Sequence, residues 1–440
     1  MSRTTLALVA AVAAFGVAGP ASAADYPPPS NPSGAKGKPK GPFKTRTVCA
    51  KGKGNAKNCF KTIQAAVNAS KPGDTVIVPD GTFKENVKIV GAKKRYIKLI
   101  GNTETPAKVV LQGSGKKQNG VFINGADHVT VKGFEAKNYL ANGFFVVNAT
   151  GYTFRNLVAT RTGTYGVYAF NSIGGSITNS TASENNDSGF YIGQTPPQTK
   201  PVRSIVRNVS SYGNVLGFSG TNMRYVTITK SLFFNNGLGI VPNTLDSEKY
   251  APPEDNVITD NDVFWNNFNY FAGAPFPIRD GATGELAYPV GTGILLYGSR
   301  RTKVTKNRVF GNYLIGLAMV EAVTLEQADA KDLVGNEFSG NAFGTNGLSG
   351  TPGDDLNGID IAYDGNGTGN CISGNTGVKT TIPADQSTFA ACPFAGANTF
   401  NNDAFGQMIA PAGDDTHEKF WVKHPHQPIE GIEPLEHYTP

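Results

Sequence analysis

Three regularities in the sequence predict an all-β solenoid, a single-stranded right-handed parallel β-helix with a short N-terminal capping helix. Glycines that each open an apolar strand stand at positions 120, 143, 166, 189, 217, 239, 293, 316 and 358, and the first three intervals are all 23 residues. The residue after each is apolar without exception: Val121, Phe144, Val167, Phe190, Phe218, Ile240, Ile294, Leu317 and Ile359. A second short strand follows and closes on a small or polar residue, namely Gly133, Asn156, Asn179, Asn208, Lys230, Asn261, Asn307, Asn336 and Asn375. One glycine strand and one asparagine strand make one coil, and stacked coils bring equivalent strands into parallel register about 4.8 Å apart.

The period of two within a strand assigns its faces. If the residue after the glycine points inward, the next points outward, and the third, mostly Ile123, Val146, Ala169, Ile192, Leu296, Met319 and Ile361, points inward again. The recurring asparagine suits a turn, because it tolerates left-handed backbone and its amide can bond to the equivalent amide of the next coil. A solenoid has open ends, so the first coil needs a cap. Phe60, Ile63 and Val67 share one face of a short helix in FKTIQAAVNAS, which stops at Lys71-Pro72-Gly73-Asp74 before the strand TVIV.

The ends of the chain read differently from its body. Residues 1–23 have the form of a signal peptide, with an apolar stretch from Leu6 to Val17 and a small-residue site at Ala21-Ser22-Ala23. Export follows, to the cell exterior or envelope. That stretch is too short for a membrane span, and none follows it. Residues 24–57 form a basic linker rich in Pro, Gly and Lys, 58–410 the β-helix, and 411–440 a tail. Residues 1–57 hold nine Lys or Arg and one acid, a net of +8; the other 383 residues hold 31 Lys or Arg and 33 acids, a net of −2. The linker is therefore a candidate contact for cell-wall polyanions, and a near-neutral body does not point to nucleic acid. Four cysteines in two local groups predict the disulfides Cys49–Cys59 and Cys371–Cys392 in an oxidising compartment; other pairings or a zinc site are the alternatives.

The segment CFKTIQAAVNASKPGDTVIVPDGTFKENVKI resembles the first segment of pectin-lyase-like β-helix proteins, a group with pectate lyases, pectin methylesterases, alginate epimerases and periplasmic copper-accessory proteins. With the coils the resemblance covers roughly residues 59 to 376. It implies the fold; the methylesterase Asp motifs, the pectate-lyase Arg-Pro segment and the epimerase Asp-Pro-His motif are absent from the chain.

Departures from the regular coil locate a site, because insertions in repeat proteins gather on one face. Extra residues follow the glycine strand near 194–201, 245–255, 322–331 and 364–368, and precede it at 268–291 and 343–356. Loops on both sides of the outer strand face predict a groove. Outward positions in it include Phe122, Phe145, Tyr168 and Tyr191, then Tyr297, an aromatic file suited to the apolar faces of sugar rings or to stiffening the sheet. Glu321 and Asp360 are placed on adjacent coils as a carboxylate pair for glycoside hydrolysis. For lyase or epimerase chemistry on uronic acids, Arg300, Arg301 and Arg279 are the cations available to a sugar carboxylate, and Tyr168 or Tyr191 the base. Asp364 and Asn366, with Thr368 and Asn370, supply oxygens at alternate positions as a candidate calcium loop; solvated turn residues are the plainer account of these acids. His128 reads as a turn residue, and His424-Pro425-His426 as a weak metal candidate.

Together these features point to an exported, monomeric, carbohydrate-active β-helix that binds an acidic, pectin- or alginate-like polysaccharide in a loop-walled groove, with cleavage or epimerisation left open. The alternative is a non-catalytic surface or envelope protein using the same groove for recognition.

Overall fold

The computed structural model describes residues 37–50, 59–246, 248–267, 289–322, 332–344 and 356–410. The predicted signal peptide, most of the linker, the tail with its four histidines, Arg279 and most of the insertions expected at 268–291, 322–331 and 343–356 lie outside the described residues. The chain forms two compact units that meet in sequence at Ser210 and Ser211.

The N-terminal unit begins at the predicted cap. Helix α1, Ile63–Ala69, buries Ile63, Ala66 and Val67. Seven residues are too few to hold a helix alone, and charged groups complete both ends. Both Glu85 carboxylate oxygens accept the N–H groups of Ile63 and Gln64 at 2.9 Å, and Thr62 Oγ1 accepts that of Ala65. At the other end Lys94 Nζ donates to the carbonyls of Val67, Asn68 and Ser70 at 2.8–2.9 Å. Each charge has the sign that the helix dipole favours at its terminus.

Two parallel strand series follow. In the first, Val87–Val90, Asn119–Asn124, Asn142–Val147, Val167–Phe170 and Ser188–Gly193 align Val87, Val121, Phe144, Val167 and Phe190. In the second, Thr75–Ile77, Lys98–Ile100, Thr130–Lys137, Thr153–Thr160 and Ser176–Ser183 align Val76, Leu99, Val131, Phe154 and Ile177. Every residue of both columns is fully buried, so the inward column expected from the glycine spacing is the core. The glycines have a steric cause. A Cβ on Gly120, Gly143 or Gly166 would come within 3.0 Å of the carbonyl oxygen of the glycine one coil on.

The C-terminal unit repeats the plan with Leu216–Ser219, Leu238–Val241, Thr292–Tyr297, Ile315–Val320 and Ile359–Tyr363. Its inward column is Phe218, Ile240, Ile294, Leu317 and Ile361. Ile361, not Ile359, occupies the last place, so Asp360 rather than Gly358 stands opposite Gly316. Amide ladders hold this unit together. Asn214, Asn236, Asn266 and Asn312 each donate from Nδ2 to the Oδ1 of the next asparagine at 3.0–3.1 Å in a ladder that ends on Asn357, and Asn261, Asn307 and Asn341 do so at 2.9–3.0 Å in one that ends on Asn375.

The predicted asparagine column is in fact two. The left-handed turn positions are Gly133, Asn156, Asn179, Asn208, Lys230, Asp260, Lys306, Gly340 and Gly374. Asn261, Asn307 and Asn375 each sit one residue later, with the amide turned into the protein, and Asn336 belongs to another ladder with Asn370. Both disulfides form as predicted, Cys49–Cys59 and Cys371–Cys392. Helix α2, Asn402–Ile409, was not expected. Asn401 caps it, and its Ala404 and Met408 pack on Leu295, Ala318, Val320 and Ala362, the outer face of the strands.

Candidate functional site

The predicted aromatic file exists in the N-terminal unit. Strand register aligns Lys88, Phe122, Phe145, Tyr168 and Tyr191 on successive coils. Ring centroids are 5.3 Å apart from Phe122 to Phe145, 4.6 Å from Phe145 to Tyr168 in a parallel stack, and 4.7 Å from Tyr168 to Tyr191 edge to face. Tyr165 leans on the last two at 4.5 and 4.7 Å.

Exposure changes along the file. Phe145, Tyr168 and Tyr191 are 2–3% exposed, whereas Phe122 is half-buried and Lys88 exposed. An open platform of four rings is therefore not present; the accessible end is Phe122 with Lys88 beside it. Lys88 escaped the sequence reading because its strand has Asn86 where later coils have the column glycine. The alternation Val87-Lys88-Ile89-Val90 was the available signal.

The remaining predicted residues lie in the C-terminal unit. Glu321 and Asp360 are on neighbouring coils but not together: Asp360 faces Gly316, five positions before Glu321, or roughly 16 Å along the strand. Asp360 is 3% exposed, and it accepts the Lys379 N–H at 2.7 Å, the Thr380 N–H at 3.2 Å and an Asn357 amide hydrogen at 3.0 Å. What does approach Glu321 is Asp364, whose carboxylate accepts the N–H groups of Glu321 at 2.7 Å and Asn366 at 2.9 Å. Burial, partly offset by those two bonds, pushes the Asp364 carboxyl up to about 7, and the Glu321 charge adds to it.

The calcium reading does not fit these residues. Asp364 uses both oxygens on backbone N–H groups, Asn366 Oδ1 accepts from Leu333 N, and Asn370 Oδ1 accepts from Asn336. Among the described residues no three His, Cys, Asp or Glu side chains are set to hold a metal. Tyr297 is buried with Val241 and Leu295 in the cluster that α2 covers. Arg301 is exposed and bound to Glu254 and Asp255, and Arg300 is a half-buried member of the adjoining turn. The insertion at 245–255 is pinned down: Asn222 Nδ2 bonds to the carbonyls of Leu245 and Glu248, and Arg224 to those of Tyr250, Ala251 and Pro252.

A family model described as periplasmic copper-binding protein (NosD) matches residues 68–274, which include most of these coils. The two parallel strand series make the chain a parallel β-helix, and the family match covers just under half of it. Among solved structures, this β-helix is similar to the A-module of mannuronan C-5 epimerase AlgE6 from Azotobacter vinelandii, at 15% identity over 72% of this chain and 90% of that one, with a TM-score of 0.48. It is similar also to a rhamnogalacturonan lyase (15%, 79% and 86%, 0.41) and to pectate lyase Pel9A (15%, 80% and 82%, 0.39). No curated protein matches its sequence. No helix among the described residues is long and apolar enough to cross a membrane.

Proposed function

We propose that this β-helix is exported and binds an acidic polysaccharide on the outer face of the N-terminal glycine strands. The observation that carries the reading is the register of Lys88 with Phe122 at the accessible end of the aromatic file. A sugar ring lying on the half-buried Phe122 face would place its carboxylate within reach of the Lys88 ammonium, which makes no ion pair among the described residues. The stacked rings of Phe145, Tyr168 and Tyr191 behind it hold Phe122 in place. Two disulfides suit an oxidising compartment, and the signal-like N-terminus suits export.

Recognition without turnover is favoured by the carboxylates. A hydrolase needs its two carboxyl groups about 5–9.5 Å apart and open to substrate. Asp360 and Asp364 are buried and occupied by backbone N–H groups, and Glu321 is about 16 Å from the Asp360 position. The proposed function is tested by titrating the protein with polygalacturonate, alginate and a neutral glycan while following unsaturated product and reducing ends. Binding to the acidic polymers, weakened about tenfold or more by Lys88→Gln and by Phe122→Ala, is expected. Absence of binding sinks the reading, and turnover of either polymer overturns its non-catalytic form.

A further inference from the structure

The second strand series of the N-terminal unit has an outer face of its own. Register places Thr45, Thr75, Lys98, Thr130, Thr153 and Ser176 in one file, and Thr47, Ile77, Ile100, Lys132, Arg155 and Thr178 in the file two residues on. The residues between them, Val76, Leu99, Val131, Phe154 and Ile177, are fully buried, so both files face outward. The face thus carries seven hydroxyls, three cations and no carboxylate. Lys98 and Arg155 are exposed and Lys132 half-buried, and none of the three makes an ion pair among the described residues.

Lys132 and Arg155 are direct partners on neighbouring strands, about 4.8 Å apart at the backbone. Like charges so placed cost stability, roughly 0.2–1 kcal/mol per pair. The wider sequence shares the bias: residues 58–140 hold 13 Lys or Arg against six acids, and residues 141–440 hold 18 against 27. The near-neutral body inferred from the total hides a basic segment. A flat array of hydroxyl donors with unneutralised cations at coil spacing fits a linear polymer that brings anionic groups and hydroxyls together.

We infer that this face is a second binding surface, distinct from the aromatic file, for the carboxylate groups of an acidic polysaccharide, held by Lys98, Lys132 and Arg155 with the threonine files beside them. The inference rests on the proposed function for its ligand class and on none of its residues. Binding here releases counterions, so each lost cation lowers the salt dependence of affinity by about one unit of slope.

The test measures affinity for polygalacturonate from low to moderate salt in the full chain and in the variant Lys98→Gln/Lys132→Gln/Arg155→Gln, with Lys132→Arg as the conservative control and unfolding midpoints as the check on fold. The triple variant should lose tenfold or more at low salt, show a slope smaller by about two to three, and unfold no earlier than the parent; Lys132→Arg should bind as the parent does. Lys88→Gln separates the two surfaces, since it must leave the slope change caused by the triple substitution intact. An unchanged slope in the triple variant overturns the inference even if the protein binds through Phe122. Equal affinity for a neutral glucan, or tighter binding of polyphosphate or DNA than of polygalacturonate, overturns the assigned ligand class.

Discussion

On the outer face of the N-terminal unit's second strand series, Lys98, Lys132 and Arg155 make no ion pair among the described residues; on the matching face of the C-terminal unit Lys303 pairs with its register partner Glu337, the turn before that strand joins Arg301 to Glu254 and Asp255, and on the neighbouring strand series Arg308 pairs with Asp262. The C-terminal unit closes its other polar groups in the same way, with a five-asparagine ladder and α2 over its outer apolar strands. One coil geometry therefore serves two ends. Where charges and amides are satisfied internally they add to the stability of the coil, and where cations are left unpaired they are open to an anionic ligand.

Buried carboxylates give the sharpest contrast, and the largest expected effect. In the C-terminal unit the Asp364 pKa is raised by burial to about 7, so the folded state holds a proton that the unfolded chain releases near 4. Stability from this group is full below about pH 4 and falls as the pH rises through about 7, by at most about 4 kcal/mol. In the N-terminal unit burial raises the pKa of Asp74, but the N–H groups of Lys44 and Lys71 and the Arg46 guanidinium outweigh it and hold the carboxyl below its usual value. That contribution is present above about pH 4 and is lost on further acidification. Hydrogen exchange resolved by segment should show the two units responding to pH in opposite directions. Asp364→Asn should flatten the C-terminal response alone, and a common response in both units would break the contrast.

The amide ladders come next. Asn266 accepts from the N–H and Nδ2 of Asn236 and donates to Phe233 O and Asn312 Oδ1, all buried. Asn266→Ala leaves several of these groups without partners, at a cost of about 3 kcal/mol. Asn148 in the N-terminal unit sits in a shorter ladder with Asn124 and Asn171, at 3.3 and 2.7 Å, and has a left-handed backbone that glycine also adopts. Asn148→Gly should cost about 1 kcal/mol by denaturant unfolding. Equal losses would show that the N-terminal ladder contributes as much to stability as the C-terminal one.

These differences show how far the sequence could be read. The inward column and the solenoid were legible because Gly120, Gly143, Gly166 and Gly189 are evenly spaced, and a Cβ at the first three would strike the next coil. Register became illegible where spacing was lost. Gly358 lies two residues before the true counterpart of Gly316, which kept inside and outside correct but left Asp360 five positions from Glu321 along the strand where the glycine spacing implied three; Asp364 is the nearer carboxylate in either register. Composition could not separate a turn asparagine such as Asn179 from an inward one such as Asn307, since both exploit the same amide. Burial of Tyr168 and Tyr191 was equally hidden, because an outward position in a strand says nothing of what lies over it. Net charge concealed the basic face, as a sum over 383 residues cannot show which of them share a sheet.

The smallest effect bears on the charges themselves. Arg155→Thr removes one of two like charges in register and puts there the residue type already at Thr178 in the same file, so the N-terminal unit should gain about 0.5 kcal/mol. Arg308→Thr removes the partner of Asp262 and should cost the C-terminal unit about 0.5 kcal/mol, the ordinary worth of a partly exposed pair. Opposite signs are the prediction, read from denaturant midpoints at low salt, and both should shrink in 1 M salt as the charges are screened. A loss of stability in Arg155→Thr would mean that the arginine already has a structural task. The face would then not be frustrated, and its cations would need no anionic polymer to explain them.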